Sequence, residues 1–222
     1  MKKLIFRSTK ILVTFLIFQV LIGCMTLPGR LIPTITKLPD KAMFVNKPKV
    51  FIDINFHTFL KGQHTAPVEN ITAKDIFVNT VKNVTEKSNL FESYTIDKFQ
   101  SRNVDYTIQL DMLNYGNFSK AMIAGIISGL TLTVIPVAAK DNYKLTAKLL
   151  DTNGNEIKTY VYEDYARTWF QLFLFPFAGT LKKVPNKVME NMIENLYNDI
   201  LNDNYLKYSY NGSDLPDFLC FK

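Results

Sequence analysis

The sequence has few of the residues that most catalytic and metal-binding motifs require. Its 222 residues include two cysteines, two histidines and one tryptophan. Two cysteines exclude a disulfide-rich scaffold, and no Gly-x-Ser-x-Gly elbow, P-loop or Gly-x-Gly-x-x-Gly fingerprint is present. A hydrophobic content of 47% excludes a disordered chain. The length suits one domain with tails.

The few candidate catalytic groups do not form a recognisable site. His57 and His64 lie seven residues apart, whereas zinc normally takes three or four ligands. Glu163 and Asp164 are neighbours in a predicted strand, so their carboxylates would point to opposite faces. We therefore predict no catalytic residues, no metal site and no enzymatic activity.

The net positive charge is small outside the first residues. The chain has 26 Lys and Arg against 20 Asp and Glu. Residues 1–23 hold four of the bases and no acid, which leaves 22 bases against 20 acids and a net charge of +2 in the remainder. Nucleic-acid binding depends on clustered phosphate contacts, so we expect no nucleic-acid partner.

The N-terminus has the pattern of an export signal. Basic residues in MKKLIFRSTK precede a 13-residue uncharged run from Ile11 to Gly23. This run is too short to cross a hydrocarbon core of about 30 Å, and it fits a secretory h-region. It ends in Leu21-Ile22-Gly23-Cys24. These four residues resemble the lipobox of bacterial lipoproteins.

That resemblance implies a covalent lipid anchor, and since no cofactor motif is found, no other cofactor is predicted. The Cys24 sulfur would carry a diacylglycerol, the signal would be cut between Gly23 and Cys24, and the new amine would receive an N-acyl chain. Each buried CH₂ of these chains contributes about 0.8 kcal/mol to membrane binding. Met25 stands where an Asp would retain a lipoprotein in the inner membrane. The resemblance thus implies the outer membrane, with the domain expected at its periplasmic face. An ordinary signal peptide or a signal anchor with an incidental cysteine is the alternative.

The chain is expected to divide into four segments, which are a signal peptide (1–23), the lipidated cysteine with a proline-containing tether (24–48), one domain (49–205) and a tail (206–222). Four of the nine prolines lie in the tether. The tail contains Cys220. If Cys24 is acylated, Cys220 has no intramolecular partner, and either a packed apolar role or an intermolecular disulfide remains open.

Hydrophobic periodicity predicts the element order β-α-β-β-β-β-α. Strands are expected at 49–57, 91–99, 104–113, 143–149 and about 156–164. Helices are expected from Thr72, with Asp75 completing a capping box, and in the terminal segment with Pro185 in its first turn. The fold class is therefore α+β, a mainly antiparallel sheet covered by two helices.

Two inserted apolar segments, 121–139 and 169–179, do not fit this order. They hold nineteen and eleven uncharged residues. Three interpretations remain open: both are core or a covered sheet edge, both dip into the bilayer that holds the anchor, or the first spans a membrane. The residues singled out for membrane or core insertion are Gly125, Gly129, Pro136, Trp169, Phe175 and Pro176.

A wider resemblance covers roughly residues 120–201. The succession LTLTVIP, YKLTAKLLDTNGNEIKTYVYED and WFQLFLFPF before an amphipathic helix resembles a class of small uncharacterised envelope lipoproteins. The strand order is also similar to periplasmic domains of secretion lipoproteins, including the curli secretion pore. Neither of these wider resemblances implies an activity. From the lipobox and the missing catalytic groups we predict a non-enzymatic outer-membrane lipoprotein that serves as an envelope assembly, scaffold or interaction module. Its partners would be the membrane and an envelope protein or a second copy. The alternative is an oligomer that inserts 121–139 and 169–179 as a pore or as a secretion or transport accessory.

Overall fold

Alternation of apolar and polar residues along the long strands gives one sheet an apolar face and a polar face. The computed structural model describes residues 22–35, 44–131, 135–172, 179–207 and 209–210. The strands in these ranges are β1 (Ile22–Pro28), β2 (Phe44–Asn46), β3 (Lys49–Lys61), β4 (Val68–Glu69), β5 (Ser93–Thr95), β6 (Tyr106–Asn117), β7 (Val137–Leu150), β8 (Glu156–Leu172) and β9 (Ser209–Tyr210). The helices are α1 (Ile71–Ser88), a 3-10 helix (Lys98–Asn103), α2 (Phe118–Leu130) and α3 (Thr180–Asn202).

Seven strands form the main sheet in the order β1-β8-β7-β6-β3-β4, with β5 also beside β3. Strand β3 runs parallel to β6 and β5, and the other pairs are antiparallel. Strands β2 and β9 form a separate two-stranded sheet. The predicted α+β class with a mainly antiparallel sheet is confirmed.

The core lies between the apolar sheet face and helices α1 and α3. Alternate residues of β3, beginning at Val50 and ending at Phe56, are buried as the periodicity predicts. Alternate residues of β6 and β7 continue this face, and eleven residues of α3 are buried against it. The Tyr197 hydroxyl in α3 lies 2.6 Å from Thr85 Oγ1 in α1, which joins the two helices.

Several predicted boundaries are wrong. The strand expected at 91–99 shortens to β5, because Asp97 accepts a hydrogen bond from Phe99 N and starts the 3-10 helix. The helix expected from Thr72 begins one residue earlier, with Asn70 as its N-cap. Pro185, expected in the first turn of the last helix, lies inside α3, which begins at Thr180.

The two apolar segments also divide differently. Residues 121–130 lie in α2, a third helix, residues 137–139 begin β7, and residues 169–172 complete β8. Residues 132–134 and 173–178 of the two segments lie outside the described residues. The hairpin of β7 and β8 is therefore longer than the alternation over 143–149 and 156–164 indicates. It closes at the predicted Asn153-Gly154 turn, where Gly154 has φ +82°.

The predicted tether contains an ordered strand. Residues 22–28 form β1 and pair with β8 at the edge of the main sheet. Strand β1 is an edge strand that ends in a proline. It lacks the alternation of apolar and polar residues that identifies the inner strands. The division into signal peptide, tether, domain and tail stays a prediction, but β1 lies within the folded unit.

Candidate lipid-anchoring site

Cys24 lies at one end of the main sheet. It pairs with Phe170 of β8, and Phe170 pairs in turn with Val137 of β7. Directly opposed residues of an antiparallel sheet point to the same face. The Cys24, Phe170 and Val137 side chains therefore share the face on which α3 packs, and Cys24 is half-buried there.

Thr26 fixes β1 two residues after Cys24. Its hydroxyl lies 2.9 Å from Thr168 Oγ1 in β8, and both side chains are buried. Its backbone N–H donates to Thr180 Oγ1, 2.7 Å away at the start of α3. At about 3.3 Å per residue, Cys24 lies roughly 7 Å from a point that the sheet and α3 both hold.

The chain after β1 is held against the sheet as well. Gly29 N donates to Tyr165 O at 2.6 Å, and Leu31 N donates to the buried Asp164 carboxylate at 3.3 Å. Farther along, Asn195 of α3 donates to Pro33 O at 2.9 Å. The N-terminal part of the predicted tether is thus a strap that α3 and β8 hold in place.

Helix α2 leaves the sheet at this same end. It follows β6 at Phe118, and the chain returns in β7 at Val137. Its N-terminus is capped by Asn117, whose side chain accepts from Lys120 N at 3.0 Å. The anchor end of the sheet is accordingly formed by Cys24, the start of β7, the end of β8 and α2.

Helix α2 exposes a stripe of large apolar side chains. The members of this apolar stripe are Met122, Ile123, Ile126, Ile127 and Leu130, and they are between 40% and 82% exposed. Of the three interpretations of 121–139, a core position does not fit these five residues of α2, whereas Val137 at the start of β7 is buried. No helix in the described ranges combines the length and the apolar character that a membrane crossing needs.

The residues singled out from the two apolar segments fall into three environments. Gly125 and Gly129 lie in α2, and a Cβ at either position would meet no atom within 4 Å. Pro136 is exposed just before β7, whereas Trp169 is half-buried in β8 between Met25 and Ala138. Phe175, Pro176 and the tail residue Cys220 lie outside the described residues.

Four exposed cations lie near the N-terminal end of α2. Lys61, Lys120, Lys140 and Arg167 are exposed at the strand ends or in the first turn of the helix. Lys140 and Arg167 are directly paired across β7 and β8, and Lys140 Nζ lies 3.9 Å from the Tyr165 ring centroid. The nearby acid Asp141 is half-buried, and burial raises the pKa of its carboxyl.

The histidines have local roles in the structure. His64 Nδ1 accepts from Leu60 N at 3.3 Å in the turn after β3, and His57 lies in β3 opposite Glu69. Within the part of the chain that the structure describes, no group of three or more His, Cys, Asp or Glu residues could hold a metal ion.

A cavity of about 730 Å³ lies at the opposite end of the sheet. The fourteen residues of β7 separate the two ends by about 45 Å. The cavity is lined mostly by polar residues, including Asp105, Asp151, Tyr205 and Lys207. This distal end and the Cys24 end are thus distinct surfaces of one rigid sheet.

Comparisons with known proteins find similarity in structure alone. No family model and no curated protein sequence matches the chain. A minor lipoprotein from Acinetobacter baumannii aligns with a TM-score of 0.37 at 8% identity, over 72% of this chain and 97% of that one. A PelC dodecamer from Paraburkholderia phytofirmans aligns with a TM-score of 0.28 at 11% identity, over 76% and 96%. Values this low establish neither a family nor a shared activity.

Sequence reasoning identifies Cys24 but misses the residues that hold it in place. Thr26, Gly29, Asp164 and Asn195 act through contacts between positions more than 130 residues apart, or through a close backbone approach. A polar residue at an inward position, such as Asp164 between Tyr162 and Ala166, is the one local signal for such a contact.

Proposed function

We propose that the chain is an acylated outer-membrane lipoprotein whose domain acts without catalysis as an envelope assembly, scaffold or interaction module. The observation that carries the proposal is the position of Cys24, two residues from the buried Thr26 at one end of the sheet. A lipid on Cys24 would hold this end at the membrane. The distal end, about 45 Å away, would then face the periplasm and its protein partners.

The anchor is tested by labelling cells that express the protein with an alkyne fatty acid and separating their membranes on a density gradient. We expect the wild-type protein to carry the label and to sediment with the outer membrane. The Cys24→Ser variant should lose the label and no longer sediment with the outer membrane, while the Cys220→Ser control should behave as wild type. Label that persists in Cys24→Ser, or wild-type protein in the inner membrane, would contradict the proposal.

The exposed apolar stripe of α2 favours a second candidate, an oligomeric lipoprotein that inserts this region to make a pore or to assist secretion. The two candidates differ in what the Cys24→Ser protein does after export. A monodisperse monomer without detergent supports the tethered module. Rings that require detergent support the oligomer.

A further inference from the structure

We propose that helix α2 lies in the headgroup–acyl boundary of the membrane that holds the Cys24 lipid, with its apolar stripe directed toward the acyl chains. This inference rests on the proposed function, because the lipid anchor supplies the membrane. It adds a second contact, made by side chains, to the covalent one. It also assigns a role to the largest set of exposed apolar side chains in one described helix.

The apolar stripe has the geometry of an interfacial helix. At about 100° per residue, its five members fall within an arc of about 140°. Ala124 and Gly125 lie on the other side, where Ala124 is half-buried, and Gly129 lies at the edge of the stripe, about 20° from Met122. The large side chains thus face outward together, as in helices that lie in the plane of a membrane.

The length of α2 fits the boundary and not a crossing. Thirteen residues extend for about 20 Å, which is less than the roughly 30 Å hydrocarbon core. No acidic or basic residue lies between Lys120 and Lys140. A helix of this length can bury its apolar side among the acyl chains while Lys120 in its first turn stays at the headgroups.

The charges around α2 complement an anionic membrane surface. The exposed cations near the N-terminal end of the helix are Lys61, Lys120, Lys140 and Arg167. Among the described residues 137–142 of β7 and 165–172 of β8, the one acid is Asp141. Cations beside a membrane surface each contribute about 1 kcal/mol of attraction to anionic lipids. Arg167 and its partner Lys140 lie three residues from Phe170 and Val137, so they are about 10 Å from the Cys24 row along the strands and on the other face of the sheet.

The position of Cys24 favours the bilayer over a second copy of the chain as the occupant. Cys24, Phe170 and Val137 form one row across the sheet, and Val137 follows the end of α2 by seven residues. Because Thr26 holds β1 in place, the acyl chains enter the membrane beside α2. An exposed apolar helix there would reach lipid without any change in the fold.

Depth-dependent fluorescence quenching tests the proposal on the acylated protein. The protein, with Cys220→Ser, is reconstituted in vesicles of phosphatidylethanolamine and phosphatidylglycerol at 3:1. Single cysteines replace Ile126 in the stripe, Gly125 on the small-residue side and Asn153 at the distal turn, and each carries the dye NBD. We expect a doxyl lipid to quench the dye at 126 most strongly and iodide to quench the dye at 153 most strongly.

Equal iodide quenching at 126 and 153 would overturn the proposal. The proposal would also be overturned if the dye at 126 stayed protected from iodide in detergent and this protection increased with protein concentration. A second copy of the chain would then cover the stripe. The expected order of lipid quenching, 126 above 125 above 153, would identify the apolar stripe as the membrane contact.

A second measurement separates this inference from the proposed function. A protein of residues 24–222 with Cys24→Ser, which has neither the apolar leader nor acyl chains, is mixed with the same vesicles, so that neither contributes to binding. The double variant Ile123→Gln and Ile126→Gln should lower its partition coefficient at least tenfold, because two large apolar side chains lose their transfer to lipid. Val161→Gln, which changes an exposed apolar residue of β8 outside the stripe, should leave it unchanged.

The outcomes for the two proposals are independent. A wild-type protein whose mass shows no acyl chains contradicts the proposed function, yet stripe-dependent binding of the Cys24→Ser protein would still support the α2 contact. Vesicle binding that is absent, or equal in the stripe variant and in Val161→Gln, would overturn the α2 contact even if Cys24 is acylated.

Discussion

Gly29 shows how one residue lets the N-terminal strap lie against the sheet. A Cβ at this position would overlap the Asp164 carboxylate and the Tyr165 ring. The backbone at Gly29 is also hydrogen-bonded to Tyr165 O, so it cannot move away without losing that bond. Glycine is therefore required for close approach at this position.

We expect Gly29→Ala to lower the free energy of unfolding by about 1–3 kcal/mol, the usual range for an overpacked site. The matched control is Gly125→Ala, where a Cβ has open space and alanine should stabilise the helix by about 0.5–1 kcal/mol. Urea denaturation followed by circular dichroism measures both. Equal midpoints for the two variants would contradict the close approach.

Glu194 is a carboxylate whose burial opposes its charge. It is 8% exposed, and its Oε2 atom is buried without a hydrogen-bond partner. Lys87 Nζ lies 3.8 Å from Oε1 but is itself largely exposed, so the pair is weak. Burial raises the pKa of Glu194 above its ordinary value of 4.5.

The sign of the pH dependence follows from proton linkage. The folded state binds a proton at Glu194 more tightly than the unfolded state, so stability from this group is complete below pH 4.5 and is lost as pH rises through the folded pKa. Glu194→Gln should therefore be more stable than wild type at pH 7, and the difference should vanish below pH 4.5. Denaturation at both pH values measures it. Glu163→Gln, which removes an exposed 3.0 Å pair with Lys144, should give no such gain.

At the scale of elements, the inner strands and the terminal helix could be predicted because their periodicity reflects burial on one side. Strands β3 and β6 and helix α3 bury the residues that the pattern indicates. Strand β1 could not be predicted this way, because an edge strand takes its partners from β8, far away in the sequence. The exposed position of helix α2 could not be predicted, because its apolar residues are equally compatible with a buried core helix.

At the start of α1, the N-cap that the sequence pattern predicts differs from the residue that caps the helix in the structure. The spacing of Thr72 and Asp75 predicts a capping box, whereas Asn70 is the residue that accepts from Ala73 N at 3.0 Å. Asn70→Ala should lower the free energy of unfolding by about 1 kcal/mol, and Asn70→Asp should preserve it. Thr72→Ala should have little effect because Thr72 is exposed. Thermal unfolding of the three variants measures these changes. If Thr72→Ala lowered the stability more than Asn70→Ala, the capping box at Thr72 would be correct.

At the scale of the whole molecule, the proposed anchor differs from the tether that the sequence predicts. A flexible tether over 24–48 would let the domain move freely away from the membrane. Strand β1 and the strap instead place the first folded contact at Thr26. The Cys24 lipid and the apolar stripe of α2 would then engage one membrane together, and each contact would raise the effective concentration of the other.

A flexible insertion would separate these two contacts. Twenty Gly and Ser residues between Met25 and Thr26 add a root-mean-square length of about 25 Å. Acylation at Cys24 should persist, but the effective concentration of α2 at the bilayer falls as the linker lengthens. Energy transfer from a dye at Asn153→Cys to a dye in the membrane should change from a narrow distance distribution to a broad one. The same narrow distribution in both proteins would mean that α2 holds the domain alone, and β1 would then have no part in its orientation.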